Sequence, residues 1–129
     1  MASDLVRELL ETAAMAYQQD HVLAAQVLAA RACVHDPKSI DAWDFHGVAC
    51  QALQDTANAE RSYRKALVLA RAAYAKNPAD DKLALRQIHL LMRLGRDTDI
   101  EALFKQLQLR HPDHPALNSL MATWRLRQH

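Results

Sequence analysis

A period of about 34 residues runs through this chain and limits what it can fold into. Trp43, Gly47, Ala59, Tyr63 and Ala66 form one set, and Leu9, Ala13, Ala25 and Ala32 stand one period before Trp43, Gly47, Ala59 and Ala66, with Pro37 closing that earlier copy. Downstream, Ile100, Phe104 and Leu107 follow Ala59, Tyr63 and Ala66 by one period and two further helical turns, while Pro112 follows Pro78 by the period alone. A recurrence of this length is a supersecondary unit that cannot bury its apolar face alone, so neighbours stack to share a core. Stacked units offer an extended surface suited to binding another polypeptide.

The unit reads as helical. Half of the 129 residues are apolar, only 5% are aromatic and two are glycine; Ala and Leu cost least in a helix, where glycine costs about 1 kcal/mol. Leu5, Leu9, Ala13, Ala16 and Tyr17 form a stripe at helical spacing, with Ser3 placed to cap it. After Asp20 a second stripe uses Val22, Ala25, Ala29, Ala32 and Cys33, a face small enough for close approach of another helix, and Pro37 ends it. Ser39 caps a third helix bearing Trp43, Val48, Cys50 and Leu53. A turn at 54–56 leads into Ala59, Tyr63, Ala66, Leu67, Ala70 and Tyr74, a helix running to about Lys76. The seven residues by which this unit exceeds its period add two turns with only about 20° of drift, so the buried stripe keeps its face. Asp80 caps the next helix, which carries Leu83, Ile88, Leu91 and Met92 and stops at Gly95; Ile100, Leu103, Phe104 and Leu107 mark its partner. Past Pro112 and Pro115, Leu117, Leu120, Met121 and Trp124 make the apolar face of a last helix that covers the end of the stack.

The central set resembles the tetratricopeptide repeat, an antiparallel helix pair of about 34 residues with a large then a small residue in the first helix, Ala-aromatic-Ala in the second, and a closing Pro. Unit one places Ala29 where the aromatic belongs, and unit three has Ala84 and Ile88 where unit two has Trp43 and Gly47, a volume-conserving exchange. Unrelated α-hairpin repeats are the rival reading. The resemblance implies an all-α fold, a right-handed α-solenoid of about three helix-turn-helix units at residues 6–39, 40–80 and 81–114, plus a capping helix at about 115–128, in a single domain of residues 1–129. It also implies that the first helices line a concave groove. By this register the groove residues are Arg7, Leu10, Ala14 and Tyr17, then Asp41, Asp44, Phe45, Val48 and Gln51, then Lys82, Arg86, His89 and Arg93. The acidic pair of unit two and the basic set of unit three give the groove a change of polarity. Members of the family that grip a C-terminal carboxylate use basic residues matched here by Lys82 and Arg86, but Leu10, Ala14 and Phe45 occupy the other clamp places, so that two-carboxylate clamp is not expected.

Sixteen Lys and Arg against fifteen Asp and Glu leave a net charge of +1, which provides no global field toward nucleic acid or an anionic bilayer. Arg61, Arg64, Lys65, Arg71 and Lys76 read as a solvated helix face offset in part by Glu60. No stretch is apolar enough to span a membrane, and Met1–Glu11 lacks the features of a signal peptide, so a cytoplasmic location is expected. Cys33 and Cys50 lack metal or redox spacing and read as small buried hydrophobes. His111 and His114 lack the further ligands a structural zinc needs, and no phosphate loop, nucleophile elbow or His-Glu-x-x-His is present. The chain is therefore expected to be no enzyme, with no cofactor, metal, nucleic-acid or membrane partner. Its expected role is a protein-protein interaction adaptor or chaperone-like module; the alternative is a structural module that self-associates as a homodimer through Trp124, Met121 or the long helix of unit two.

Overall fold

The computed structural model describes residues 2–128, with side chains described from Asp4 onward. Seven helices follow one another: α1 (Ala2–Gln18), α2 (Val22–His35), α3 (Ile40–Ala52), α4 (Thr56–Lys76), α5 (Asp81–Leu94), α6 (Asp97–Arg110) and α7 (Pro115–Arg127), with no strand among the described residues. Ser3 lies inside α1 rather than ahead of it, and its side chain is outside the described residues. The helices group into two compact units, Met1–Leu69 and Ala70–His129, and the division falls within α4.

Two kinds of turn recur, and they show the repeat more clearly than the side chains do. Between the helices of each hairpin one residue is left-handed: Asp20 (φ 64°), Gln54 (φ 62°) and Gly95 (φ 68°). Each turn closes with the same pair of bonds. His21, Asp55 and Arg96 donate their N–H to Ala16, Cys50 and Leu91 at 2.8, 2.9 and 3.1 Å, while Asp20, Gln54 and Gly95 donate to Tyr17, Gln51 and Met92 at 3.0, 2.9 and 3.1 Å. This double closure satisfies carbonyls that a helix end would otherwise leave open. Between hairpins the chain makes a four-residue turn with Pro37, Pro78 or Pro112 second and a capping residue fourth; Ser39, Asp80 and His114 donate back to Asp36, Asn77 and His111 at 3.1, 3.0 and 3.3 Å. Their side chains then cap the following helices: Ser39 accepts from Ala42 N–H, Asp80 from Lys82 and Leu83 N–H, and the His114 imidazole from Leu117 N–H.

The first unit has a core of small residues. Ala25, Ala29 and Ala32 on α2 are fully buried, as are Ala13 on α1 and Ala42 and Ala49 on α3, so backbones approach closely where side chains end at Cβ. Tyr63 crosses the space Gly47 leaves open; a Cβ at Gly47 would overlap its ring. Val6, rather than the expected Leu5, packs on Ala32, Cys33 and Ala42, leaving Leu5 39% exposed. The sequence has apolar residues at both positions, and the register through Val6, Leu9, Leu10 and Ala13 is the one that packs. Leu53, at the end of α3, is also exposed. Cys33 and Cys50 are buried and free, and burial together with the nearby Cys50 pushes the Cys33 thiol up to about 12.

The second unit is filled with larger side chains. Ile88, Leu90, Leu91, Ile100, Phe104, Leu107 and Leu117 are buried, and α7 completes this core by laying Trp124 on Phe104 with ring centroids 5.7 Å apart. Outside that contact Arg125 binds Glu101 at 2.6 Å, which holds the Glu101 carboxyl below its usual range. Full burial of a side chain of Leu or Phe size is worth about 1.5–3 kcal/mol. Leu90 and Gln87 also lie in this interior, beyond the stripe expected from Leu83, Ile88, Leu91 and Met92.

Candidate functional site

In the first unit the faces of α1 and α3 carry the residues expected to meet a partner. Tyr17 and Phe45 lie edge to face with centroids 5.9 Å apart and an interplanar angle of 74°. Tyr17 is 37% exposed and Phe45 half-buried, so the pair forms an aromatic step at the surface where two consecutive first helices meet. Such a step gives a large contact area at low conformational cost. Arg7 is exposed and pairs with Asp4 at 3.6 Å. Asp41 is exposed and Asp44 half-buried on α3. Leu10 rests partly on the Val6–Ala32–Cys33–Ala42 cluster, and Gln51 accepts a hydrogen bond from the Tyr63 hydroxyl at 2.9 Å. Leu10 and Gln51 thus also serve the fold, as core and as anchor for the buried Tyr63 ring.

Behind this face a part-buried polar network ties three helices together. His46 Nδ1 lies 2.7 Å from Ser62 Oγ, and its Nε2 lies 3.0 Å from the Gln26 amide nitrogen, joining α2, α3 and α4. With the Gln26 amide as donor, Nε2 accepts and Nδ1–H donates to Ser62, which fixes a neutral imidazole. Burial lowers the His46 pKa from its ordinary value of 6.5, opposed by the Asp55 charge. The Trp43 indole N–H donates to Pro37 O at 2.8 Å, tying the helix to the preceding turn. Sequence reading passes over His46 because its partners are 16 and 20 residues away and share no motif with it.

In the second unit Lys82, Arg86, His89 and Arg93 fall on one face of α5, Arg86 half-buried and the others exposed. His111 and His114 make local contacts within the second unit. His114 Nε2 meets Asp81 at 3.1 Å, and His111 Nε2 lies 3.0 Å from the Tyr74 hydroxyl. Among the described residues no group of three or more His, Cys, Asp or Glu could hold a metal ion, and no helix is long and apolar enough to cross a membrane.

A family model described as Tetratricopeptide repeat matches residues 57–123, just over half of the chain. The chain belongs to the tetratricopeptide repeat (TPR) family. Among the solved structures that share the fold are two TPR domains. The first TPR of Spaghetti (RPAP3) bound to HSP90 peptide SRMEEVD aligns with a TM-score of 0.61 at 16% identity, covering 94% of this chain and 93% of that one. The Arabidopsis OM64 TPR domain aligns with a TM-score of 0.60 at 19% identity, covering 100% and 99%. No curated protein matches the sequence. The fold is therefore all-α and of the TPR type, and the hairpins expected from the recurrent spacing are TPR hairpins.

Proposed function

We propose that this TPR chain is a non-catalytic adaptor or chaperone-like module that takes a segment of a partner protein on the exposed faces of its first helices. The chain is a protein-protein interaction module by family, and one structural neighbour holds a peptide. The Tyr17–Phe45 step carries the finer reading, because it leaves aromatic surface open to a guest beside the core that supports it. The partner would bring an apolar anchor to Tyr17, Phe45 and Leu10 in the first unit, and Lys82, Arg86 and Arg93 on α5 would offer its acidic groups a basic face of the second, with affinity from the anchor and selectivity from the charges. A carboxylate clamp is not part of the proposal, since Leu10, Ala14 and Phe45 offer no polar group to a terminal carboxylate.

The test is capture of a partner from native lysate by the wild-type chain and by two variants of equal thermal stability, Tyr17→Ala with Phe45→Ala, and Lys82→Glu with Arg86→Glu. Loss of one captured protein by at least tenfold in the aromatic variant, and a smaller loss in the charge variant, is expected. Retention of the same protein by both variants refutes the assignment.

A further inference from the structure

On the other helices of the second unit is a cleft that the proposed function does not use. It has a volume of about 730 Å³ and lies between the last two turns of α4 and the length of α6, a size typical of sites that hold a ligand. Ala102, Leu103 and Leu107 form its apolar floor, and Gln87, itself 4% exposed, reaches it from α5. The charges are arranged by sign. Arg71 and Arg110 both line it close to Tyr74: Arg71 precedes Tyr74 by one helical turn, and the Arg110 guanidinium sits 5.9 Å from the Tyr74 ring centroid. The His111 contact to the Tyr74 hydroxyl holds that ring in place. Among the described residues Asp99 is the only carboxylate lining the cleft, and it stands eleven residues before Arg110 on α6, about 16 Å away along the helix. Two helices end near the basic side, each contributing roughly half a negative charge there, and two guanidiniums outweigh that sum.

The geometry points to a second docking site, on α4 and α6, for a short acidic-apolar peptide segment of a partner protein. Its carboxylates bind Arg71 and Arg110, and its aliphatic side chains lie on Leu103 and Leu107. An extended segment of about five residues spans the distance from Arg110 to Asp99, and a donor at its far end meets Asp99. The site shares no residue with the first-helix faces, so the chain would hold two partner segments at once.

Fluorescence anisotropy of the full chain with a fluorescein-labelled Gly-Gly-Leu-Leu-Asp-Glu peptide, and with a Gly-Gly-Leu-Leu-Lys-Lys control, tests this. The acidic peptide is expected to bind at least tenfold more tightly than the basic one and to weaken between 50 and 200 mM salt. Arg71→Glu with Arg110→Glu reverses the charge at two exposed positions and is expected to reduce binding at least tenfold; Ala102→Trp fills the cleft with all charges kept and is expected to do the same. Arg61→Glu with Lys65→Glu, a charge reversal at exposed positions of α4 outside the cleft, is expected to leave binding within twofold. No binding at 1 mM, equal binding of both peptides, or loss in the Arg61/Lys65 variant alone overturns the proposal. So does a dimer in sedimentation velocity that Ala102→Trp dissolves and the peptide competes with, since the cleft would then hold a second copy of the chain.

Discussion

The two units fill one backbone plan with different side chains. In the first, Gly47 gives its volume to Tyr63, which crosses the gap and ends on Gln51; at the corresponding places of the second, Ile88 fills its own space and Phe104 turns to Trp124 of α7. The first core is mostly alanine and closes by backbone approach, whereas the second is mostly Leu, Ile and aromatic and closes by side-chain volume. The repeat therefore keeps its backbone plan while the side-chain volume that fills it differs between the two units. Errors in the two units should differ in kind, overfilling in the first and cavities in the second.

The largest effect is expected in the second unit. Phe104→Ala removes the ring beneath Trp124 and should cost about 3–5 kcal/mol, read by urea unfolding followed on Trp124 fluorescence in a Trp43→Phe background. A loss below about 1 kcal/mol, far under the usual range for such a truncation, would mean that α7 does not depend on that contact. Gly47→Ala should cost the first unit about 1–3 kcal/mol by overpacking against Tyr63, whereas the matching Ile88→Val should cost less than Phe104→Ala and leave a cavity. If Gly47→Ala is neutral, the distinction between the two cores fails. Gln54→Gly relieves a left-handed residue and should stabilise by about 0.5–1 kcal/mol; Gly95→Ala, at the same place in the third hairpin and with open space around it, should destabilise by a similar amount.

The smallest effect is a pH dependence confined to the first unit. Because folding lowers the His46 pKa, the unfolded chain binds the proton more readily below pH 6.5, and stability must fall as pH drops through that value. The difference in urea stability between pH 7.5 and 5.5 should be smaller in His46→Gln than in the wild type, with the other six histidines common to both chains. An unchanged difference would show that His46 is equally protonated in both states.

The hairpins, their boundaries and most of the core were legible because period and capping act locally: Ser39, Asp80, Gly95 and the prolines each fix a helix end through bonds to neighbours in sequence. The left-handed turns at Asp20 and Gln54 were not, since neither residue carries the signal that Gly95 does; only the repeat period, widened by the two extra turns of α4, shows that the three are equivalent. The choice of Val6 over Leu5 was not legible either, because both fit a helical stripe and only contact with Ala32 and Ala42 decides between them. Of the candidate site, the residues of α5 could be placed on one face from spacing alone. The Tyr17–Phe45 contact joins two helices and required the fold. The α4–α6 cleft was hidden for the same reason: Arg71 read as one of a row of solvated cations, and Leu109, 85% exposed at its edge, fell off the α6 stripe.

Both cysteines belong to the first unit, one on α2 and one on α3, where burial keeps their thiols protonated at neutral pH. An alkylating reagent can react only during excursions that bring a sulfur into solvent. Modification of the native chain is thus expected to be slow and to time the breathing of this half of the molecule, and a further slowing on adding a guest would show that the guest has quieted it.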